Sequence, residues 1–148
     1  RVGLASGPAE GGSPLFGSAG SLIGVSVASL PDVDSSYAIP ARHLKHIVSQ
    51  LRESGSVFHP DLTAQVQERV NPNTLQRSVV VTQVEKGSRA HESGLRAGDQ
   101  IVRLDGTPVS SINDWRDALF FSRPNQFASL SVLRDETTKE IALLLGSR

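Results

Sequence analysis

A glycine-rich turn between two apolar runs, within residues 78–117, constrains the fold of this chain more than any other feature. The β-branched run at 79–81 is typical of a buried strand, and a second strand is expected at 100–104. Between them, Gly98 can adopt the positive φ that lets the backbone reverse, and the Asp99 carboxylate can accept hydrogen bonds from backbone N–H groups in such a turn. The sequence therefore predicts two strands joined through a Gly-Asp turn.

The residues that follow the second strand continue the pattern of short strands and tight turns. Asp105-Gly106 is typical of a hairpin turn, and Pro108 restricts the next short run to a sheet edge because proline has no N–H for a central ladder. Two final strands are expected at 127–133 and 139–145. An amphipathic helix is expected between the edge and these strands, and its apolar positions at helical spacing are Ile112, Trp115 and Leu119.

The order strand, Gly-Asp turn, strand, Asp-Gly turn, helix closely resembles a PDZ domain of the kind fused to HtrA-type (DegP-like) trypsin-family serine proteases. Most of the resemblance lies in the run SGLRAGDQIVRLDGTPV, residues 93–109. The resemblance implies that residues 56–148 form a PDZ domain, a module whose usual activity is to bind peptides.

Residues 1–55 carry a second match to the same family. Two apolar stretches, at 14–16 and 22–27, are separated by small residues and predict a β-hairpin. Within them, PLF and IGV resemble two motifs of HtrA-type proteases at the family's spacing, and YAIP at 37–40 resembles the F-A-I-P that precedes the last protease helix. The resemblance implies that residues 1–55 are the C-terminal segment of a trypsin-like protease domain. The expected fold is mainly β with α: a barrel remnant of hairpin plus helix, followed by a PDZ domain.

A helix is expected directly after the YAIP motif. Pro40 suits a first helical turn because its missing N–H would be unpaired there, and Gly55 is typical of a helix end. One face of this helix is apolar and is expected to pack on the preceding hairpin. The apolar positions are Leu44, Ile47, Val48 and Leu51.

The resemblance to a protease does not extend to its catalytic groups. Gly11 occupies the position of the nucleophilic serine, and glycine has no side chain to attack a carbonyl. A serine mechanism also needs a base and a group that orients it, which in this family come from the first barrel, upstream of the sequence given. We therefore expect no catalytic residue in this chain, and the family activity leaves open whether a longer protein is an enzyme.

The resemblance also implies where a peptide would bind. The sequence DLTA, residues 61–64, stands at the family's carboxylate-binding loop. In β-augmentation, the last residues of a partner add a strand beside residues 64–67, loop N–H groups hold the terminal carboxylate, and a pocket takes the final side chain. Trp115 and Leu119, on the expected helix, would line this pocket. The alternative for these two residues is that their side chains simply belong to the apolar core. The expected peptide-binding residues are Asp61, Leu62, Thr63, Ala64, Gln65, Val66, Trp115 and Leu119.

Two residues of the loop depart from the family pattern. Asp61 places a negative charge where an aromatic residue is usual and where a carboxylate would dock. Thr63 replaces a glycine whose conformational freedom helps to point N–H groups inward. Because like charges repel at a few ångströms, ordinary C-terminal recognition is expected to be weakened or altered.

Composition excludes several other classes of partner and site. Fifteen basic residues balance fifteen acidic ones, so charge gives no reason to expect nucleic acid or an anionic membrane as partner. The absence of cysteine excludes disulfides, zinc-thiolate sites and thiol catalysis, and we expect neither a metal nor a cofactor. Apolar runs such as 141–145 are far shorter than the roughly 20 residues that span a bilayer, so no membrane span is expected.

Three functions are compatible with this sequence. The leading hypothesis is a PDZ module of an HtrA-like serine protease or pseudoprotease, which recognises C-terminal or extended peptides and is non-catalytic as this chain. The alternative is part of an active HtrA-like endopeptidase in protein quality control, whose His and Asp lie outside this chain. The third is an assembly module that binds no peptide.

The expected partners and compartment follow from the same resemblance. Partners would be peptides or protein C-termini, and other protease-domain protomers or an upstream protease fragment. A periplasmic, or another extracytoplasmic or organellar, compartment is favoured by the resemblance. The chain has no methionine, so it is expected to be a processed product or a piece of a longer chain.

Overall fold

The computed structural model is mainly β with helices, and it divides into two compact units, Arg1–Val57 and Phe58–Arg148. The structure describes residues 2–3, 10–30, 32 and 35–147. Within those ranges, no helix has both the length and the apolar character needed to cross a membrane. The two units are described separately.

The first unit contains a four-stranded antiparallel sheet and one helix. Its elements are β1 (Val2–Gly3), β2 (Pro14–Phe16), β3 (Leu22–Leu30), β4 (Ser35–Pro40) and α1 (Ala41–Ser54), with strand order β1-β4-β3-β2. The predicted hairpin is confirmed, because β2 pairs antiparallel with β3 and Leu15 faces Gly24. A Cβ at Gly24 would lie 2.7 Å from the Ile39 carbonyl oxygen. This close approach of β4 explains why a glycine interrupts the apolar strand.

Helix α1 has the predicted bounds. It begins after Pro40 and ends at Gly55, which has a φ of 72° and whose N–H donates to Leu51 O. The expected packing of α1 on the hairpin is confirmed, since α1 contacts β3 as well as β4. The packing is partial, because no residue of α1 is buried and the side chains of Val48 and Leu51 are 51% and 47% exposed. The apolar face of the helix is therefore only partly covered.

The second unit is built on a second antiparallel sheet, of six strands. Its long strands are β6 (Ala64–Val70), β7 (Arg77–Val84), β8 (Gln100–Leu104), β10 (Phe127–Arg134) and β11 (Thr137–Leu144), in the order β11-β10-β8-β7-β6. The short β9 (Thr107–Pro108) pairs with β8, and β5 (Pro60–Asp61) pairs separately with β12 (Gly146–Ser147). The helices are α2 (Arg89–Glu92) and α3 (Ile112–Phe121). The strands expected at 79–81, 100–104, 127–133 and 139–145 and the helix from Ile112 are confirmed.

One apolar core holds the second unit together. Strand β7 contributes Val79 and Val81, at most 1% exposed, and Val79 faces Ile101 of β8 in the ladder. Because all three side chains are removed from water, each contributes on the order of 1.5–3 kcal/mol of hydrophobic stabilisation. Other core residues are Leu62, Leu95, Leu104, Val109, Trp115, Leu130, Val132 and Leu143.

The Gly-Asp turn between β7 and β8 forms as predicted. Gly98 has a φ of 95°, and its N–H donates to Val81 O at 2.8 Å. The N–H of Val81 in turn donates to Asp99 O, and the Asp99 Oδ2 atom accepts from the Arg96 N–H, both at 2.8 Å. The turn is thus fixed by both the backbone and the Asp99 side chain.

The Asp99 carboxylate has a second partner that the sequence did not predict. Arg134, in β10, donates from Nε to Oδ1 at 2.6 Å and from Nη2 to Oδ2 at 2.7 Å. Burial raises the pKa of Asp99, but the hydrogen bonds from Arg134 and Arg96 and their positive charges outweigh this effect, so the pKa lies below its ordinary value. The carboxylate is therefore ionised, and it ties the turn to β10, the strand next to β8.

Two hairpin turns have positive φ at both central residues, the geometry of a type I′ turn. Asp105 and Gly106, between β8 and β9, have φ values of 47° and 78°, as their sequence predicts. Asp135 and Glu136, between β10 and β11, have φ values of 49° and 60°. The polar residues between the two final strands predict a connection here, but they do not predict its turn type, because neither Asp135 nor Glu136 is a glycine.

Three short elements of the second unit, α2, β5 and β12, were not predicted from the sequence. Helix α2 falls in a stretch expected to be a polar turn, where Ser88 forms the N-cap and accepts from the His91 N–H at 3.3 Å. Strands β5 and β12 have two residues each, with Asp61 facing Gly146. Elements this short show no periodicity in a sequence.

Candidate functional site

Strand β6 lies at the edge of the main sheet, where a strand of another chain could pair with it. Its one neighbour in the described part of the chain is β7. Its side chains alternate: Ala64 and Val66 are half-buried against the core, whereas Gln65 and Gln67 are exposed. The ladder register shifts between Gln65 and Val66, which marks a bulge. An edge strand with one apolar face and free backbone groups is a template for another chain.

The loop before β6 is anchored on both sides. Asp61 pairs with Gly146 through β5 and β12, and the Leu62 side chain lies in the core at 3% exposure. The Thr63 hydroxyl donates to Leu62 O at 2.7 Å. The Asp61 Oδ1 atom accepts a long hydrogen bond, 3.4 Å, from the Thr63 N–H. A carboxylate of the chain itself therefore lies next to one of the N–H groups of this loop.

Thr63 has a left-handed backbone conformation, with a φ of 56°. A β-branched residue there is a genuine outlier, because Cβ approaches the backbone, and such strain costs on the order of 1–3 kcal/mol. The loop therefore has this geometry at a cost in stability.

Thr63→Gly is expected to raise the free energy of unfolding by about 1 kcal/mol, because glycine relieves the strain and loses only some entropy and one hydroxyl hydrogen bond. Urea denaturation of both proteins measures the difference. Thr63→Ala is the matched control, since alanine keeps a Cβ and loses the hydroxyl, and it should not stabilise. A Thr63→Gly protein less stable than Thr63→Ala would show that the left-handed backbone is unstrained.

Helix α3 begins at a capping box. Asp114 N–H donates to the Ser111 hydroxyl at 3.2 Å, and Asp114 Oδ2 accepts from the Ser111 and Ser110 N–H groups at 2.9 and 3.1 Å. Hydrogen bonds to the Asp114 carboxylate, first from the Ser111 side chain and then from the Ser110 and Ser111 N–H groups, lower the pKa of Asp114. The start of the helix is therefore fixed at Ile112.

Five of the predicted site residues, Ala64 among them, lie in or against one apolar cluster. Trp115 is 4% exposed and belongs to the core, as does Leu62, and Leu119 and Val66 are half-buried against that core. The burial of Trp115 agrees with the alternative that its side chain belongs to the core. Leu119 and Val66 keep exposed surface, so they are better placed to meet a ligand.

Two contacts fix how α3 lies relative to β6. Near the start of the helix, Ile112 N–H donates to Glu68 Oε2, in β6, at 2.8 Å. Near its end, the Phe120 ring lies 6.5 Å from the ring of His59, next to β5. The helix therefore runs alongside the edge strand, with its N-terminus opposite Glu68 and its C-terminus beside the loop.

Glu68 and Phe120 were missed in the sequence. The available signal for Glu68 was the period of two in β6, which places it on the same face as Ala64 and Val66. Glu68 Oε1 also lies 3.4 Å from Nη1 of Arg77, in the neighbouring strand. Nothing local in the sequence pairs Glu68 with the start of the helix, since the two partners are 44 residues apart.

Two cavities adjoin the loop on its polar side. One, of about 490 Å³, is lined by Asp61, Thr63 and the charged residues Glu85, Lys86 and Arg89, among others. The second, of about 330 Å³, also borders Asp61, Thr63 and Glu85. The second cavity also borders Ala64 and Gln65, at the start of β6. Both cavities therefore open beside the polar and charged residues of the loop.

Gly11, which the resemblance aligns with the family's nucleophilic serine, lies in the first unit. Gly11 is exposed in the turn before β2, and the next residue, Gly12, donates its N–H to Ser26 O at 2.7 Å. A Cβ at Gly11 would lie 3.6 Å from Val27 O, an ordinary contact. Space does not exclude a side chain here. In the described ranges, no group of three or more His, Asp or Glu residues could hold a metal.

The comparison of sequences identifies relatives of this chain. The profile of the PDZ domain family matches residues 22–145. A "Serine protease HtrA-like" of Staphylococcus aureus (strain NCTC 8325 / PS 47) is 32% identical over 154 aligned residues, which cover 93% of this chain and 20% of the relative. The corresponding protein of strain MRSA252 is 31% identical with the same coverage. The chain thus spans about a fifth of the length of these relatives.

The comparison of structures agrees. The HtrA-type protease AlgW, solved with a decapeptide, superimposes with a TM-score of 0.66 at 25% identity, over 91% of this chain and 45% of that one. A serine endoprotease from Yersinia pestis superimposes with a TM-score of 0.60 at 18% identity, over 91% and 46% of the two chains. The second likeness is one of fold alone.

Proposed function

This chain belongs to the PDZ domain family and is a relative of the HtrA-like serine proteases, and on that premise we propose that it binds peptides by strand addition at β6. The observation that carries the proposal is the half-apolar edge strand β6, flanked by a left-handed loop and by α3. A peptide would pair its backbone with the open edge, and its last side chain would contact Val66 and Leu119.

The loop sets the kind of peptide end that this site accepts. A terminal carboxylate would seek the loop N–H groups, including that of Thr63, beside which the Asp61 carboxylate already lies at 3.4 Å. The two carboxylates would repel each other. The proposed ligands are therefore C-terminal peptides, bound less tightly than the loop geometry allows, and extended peptides that place no carboxylate there.

The proposal extends to the first unit. We assign residues 1–55 to the C-terminal segment of a trypsin-like protease domain and residues 56–148 to the PDZ domain, with no catalysis by this chain because Gly11 stands in place of the serine. In support, Val48 and Leu51 on the apolar face of α1 are about half exposed, and a cavity of about 650 Å³ lies between this face and Leu22. Such a face suits packing against the rest of a protease domain or another protomer.

The test is titration calorimetry with the tripeptide Ala-Val-Leu, carrying either a free carboxylate or an amidated end. We expect the free-carboxylate form to bind, and Asp61→Asn to tighten it by about 3- to 10-fold at low salt, as removal of one partly solvated like charge would. The gain should shrink at high salt because added ions screen the repulsion.

Asp135→Asn is the matched control, because it removes one carboxylate from the distant turn between β10 and β11. It should leave the affinity unchanged. Absence of binding by either form of the peptide to the wild-type chain contradicts the proposed function. Binding that Asp61→Asn leaves unaltered at both salt concentrations contradicts the role of Asp61 alone.

A further inference from the structure

A hydrogen bond crosses the space between the edge strand and the helix. Glu68 Oε2, in β6, accepts from Ile112 N–H, the first residue of α3, at 2.8 Å. The bond is favourable where it stands, since a carboxylate satisfies one of the unpaired N–H groups at a helix N-terminus and interacts well with the helix dipole. Arg77, on the neighbouring strand, lies 3.4 Å from the other carboxylate oxygen, but its side chain is 61% exposed, so this ion pair adds little.

The reach of this side chain limits the width of the space. An extended glutamate spans about 5 Å from Cα to Oε, so with the hydrogen bond added, Ile112 N lies within about 8 Å of the Glu68 Cα. A strand added to β6 would lie about 4.8 Å from it, alongside the same helix terminus that the Glu68 side chain reaches. The Glu68 side chain crosses this end of the space, so an added strand would compete with it for room.

The opposite end of the space is not closed in this way. Beside the loop, Ala64 and Val66 present small or apolar side chains to α3. Four residues separate Ala64 from Glu68, so a strand that starts at the loop could run along about three to four residues of β6 before it meets the glutamate.

We propose that the Glu68–Ile112 hydrogen bond is a strap that determines how much of a peptide the groove accepts. The inference rests on the proposed function. Short peptides bind beside the loop with the strap closed. Longer peptides bind along the whole strand only after the strap opens, and the cost of opening it lowers their affinity.

Two peptides test the strap on the full chain: Ala-Val-Leu, and a decapeptide that ends in the same three residues after seven uncharged ones. Glu68→Ala removes the strap and is expected to tighten the decapeptide by about 10-fold, the order of one hydrogen bond to a charged group, and to change tripeptide affinity by less than about 2-fold. Glu68→Asp keeps the charge but is too short to reach, and should act in the same direction. It replaces Glu68→Ala if that variant fails to fold.

Arg77→Gln is the matched control, since it removes the ion pair and leaves the strap in place. It should change neither affinity by more than about 2-fold. Amide exchange of Ile112 gives a second readout: its N–H should stay protected with the tripeptide bound, and should exchange faster or shift its resonance strongly when the decapeptide binds.

The outcomes separate the two proposals. Equal effects of Glu68→Ala on both peptides, or an Ile112 amide unchanged by the bound decapeptide, overturn the strap and leave the proposed function intact. Failure of both peptides to bind any of these proteins overturns the proposed function, and the strap with it.

Discussion

Asp99→Ala is expected to lower the free energy of unfolding by about 3–5 kcal/mol, the cost of removing one partner of a buried ion pair. Asp99 is 1% exposed, and its carboxylate accepts hydrogen bonds from Arg134 and from the Arg96 N–H. The Arg134 guanidinium donates to both carboxylate oxygens of Asp99 and to Gly94 O. In the variant, of these three acceptors only Gly94 O remains for the partly buried guanidinium. Urea denaturation monitored by circular dichroism measures the loss.

The control for Asp99→Ala is Glu140→Gln, which neutralises an exposed carboxylate on the neighbouring strand β11. Its effect on the free energy of unfolding should be far smaller than that of Asp99→Ala, because surface substitutions change stability little. The pH dependence gives a second check. Because the native pKa of Asp99 is lowered, its stabilisation is complete above its ordinary pKa of 3.8 and is lost as the pH falls through the native value. Wild type should therefore lose more stability below pH 3.8 than Asp99→Asn does, and parallel pH curves would contradict this account.

Trp115→Ala is expected to have a comparable effect on folding, a loss of about 3–5 kcal/mol, because it empties the volume of the largest side chain in the core. Trp115 is 4% exposed. Loss of peptide binding by this variant would therefore report unfolding rather than a missing contact. Thermal and urea denaturation, measured before any titration, distinguish the two.

Leu119→Ala is the informative comparison for the groove. Leu119 is only half-buried, so its truncation should cost less stability, about 1–2 kcal/mol, and leave a folded protein whose affinity can be measured. Weaker binding of Ala-Val-Leu by this folded variant would support the apolar pocket. A Trp115→Ala protein as stable as wild type would show instead that the indole is not part of the core.

Features determined by neighbouring residues could be predicted from the sequence. Gly98 and Asp99 define their turn through conformational freedom and a short-range side-chain hydrogen bond, and both interactions have a local signature. The strands at 79–81 and 100–104 and the helix from Ile112 follow from apolar periodicity in the same way. The resemblance implies a glycine at the position of Thr63, and the positive φ of Thr63 is a conformation that glycine readily adopts.

Contacts between distant segments could not be predicted. Asp99 and Arg134 are 35 residues apart, and Glu68 and Ile112 are 44 apart. No periodic pattern connects such pairs, since their proximity depends on strand order and register in the folded sheet. The partial cover of α1 has a related explanation: an apolar stripe predicts that a face packs on a neighbour, but not how much of the face is covered.

The pairing of β5 with β12 has a consequence for the order of events during synthesis. Asp61 and Pro60 are among the first residues of the second unit to leave the ribosome, and their partners, Gly146 and Ser147, are among the last. The backbone of the loop therefore lacks its anchor until nearly all of the unit has been made. A nascent chain would acquire the edge strand early and a properly held loop late, so binding at this site would begin only when translation of the unit is complete.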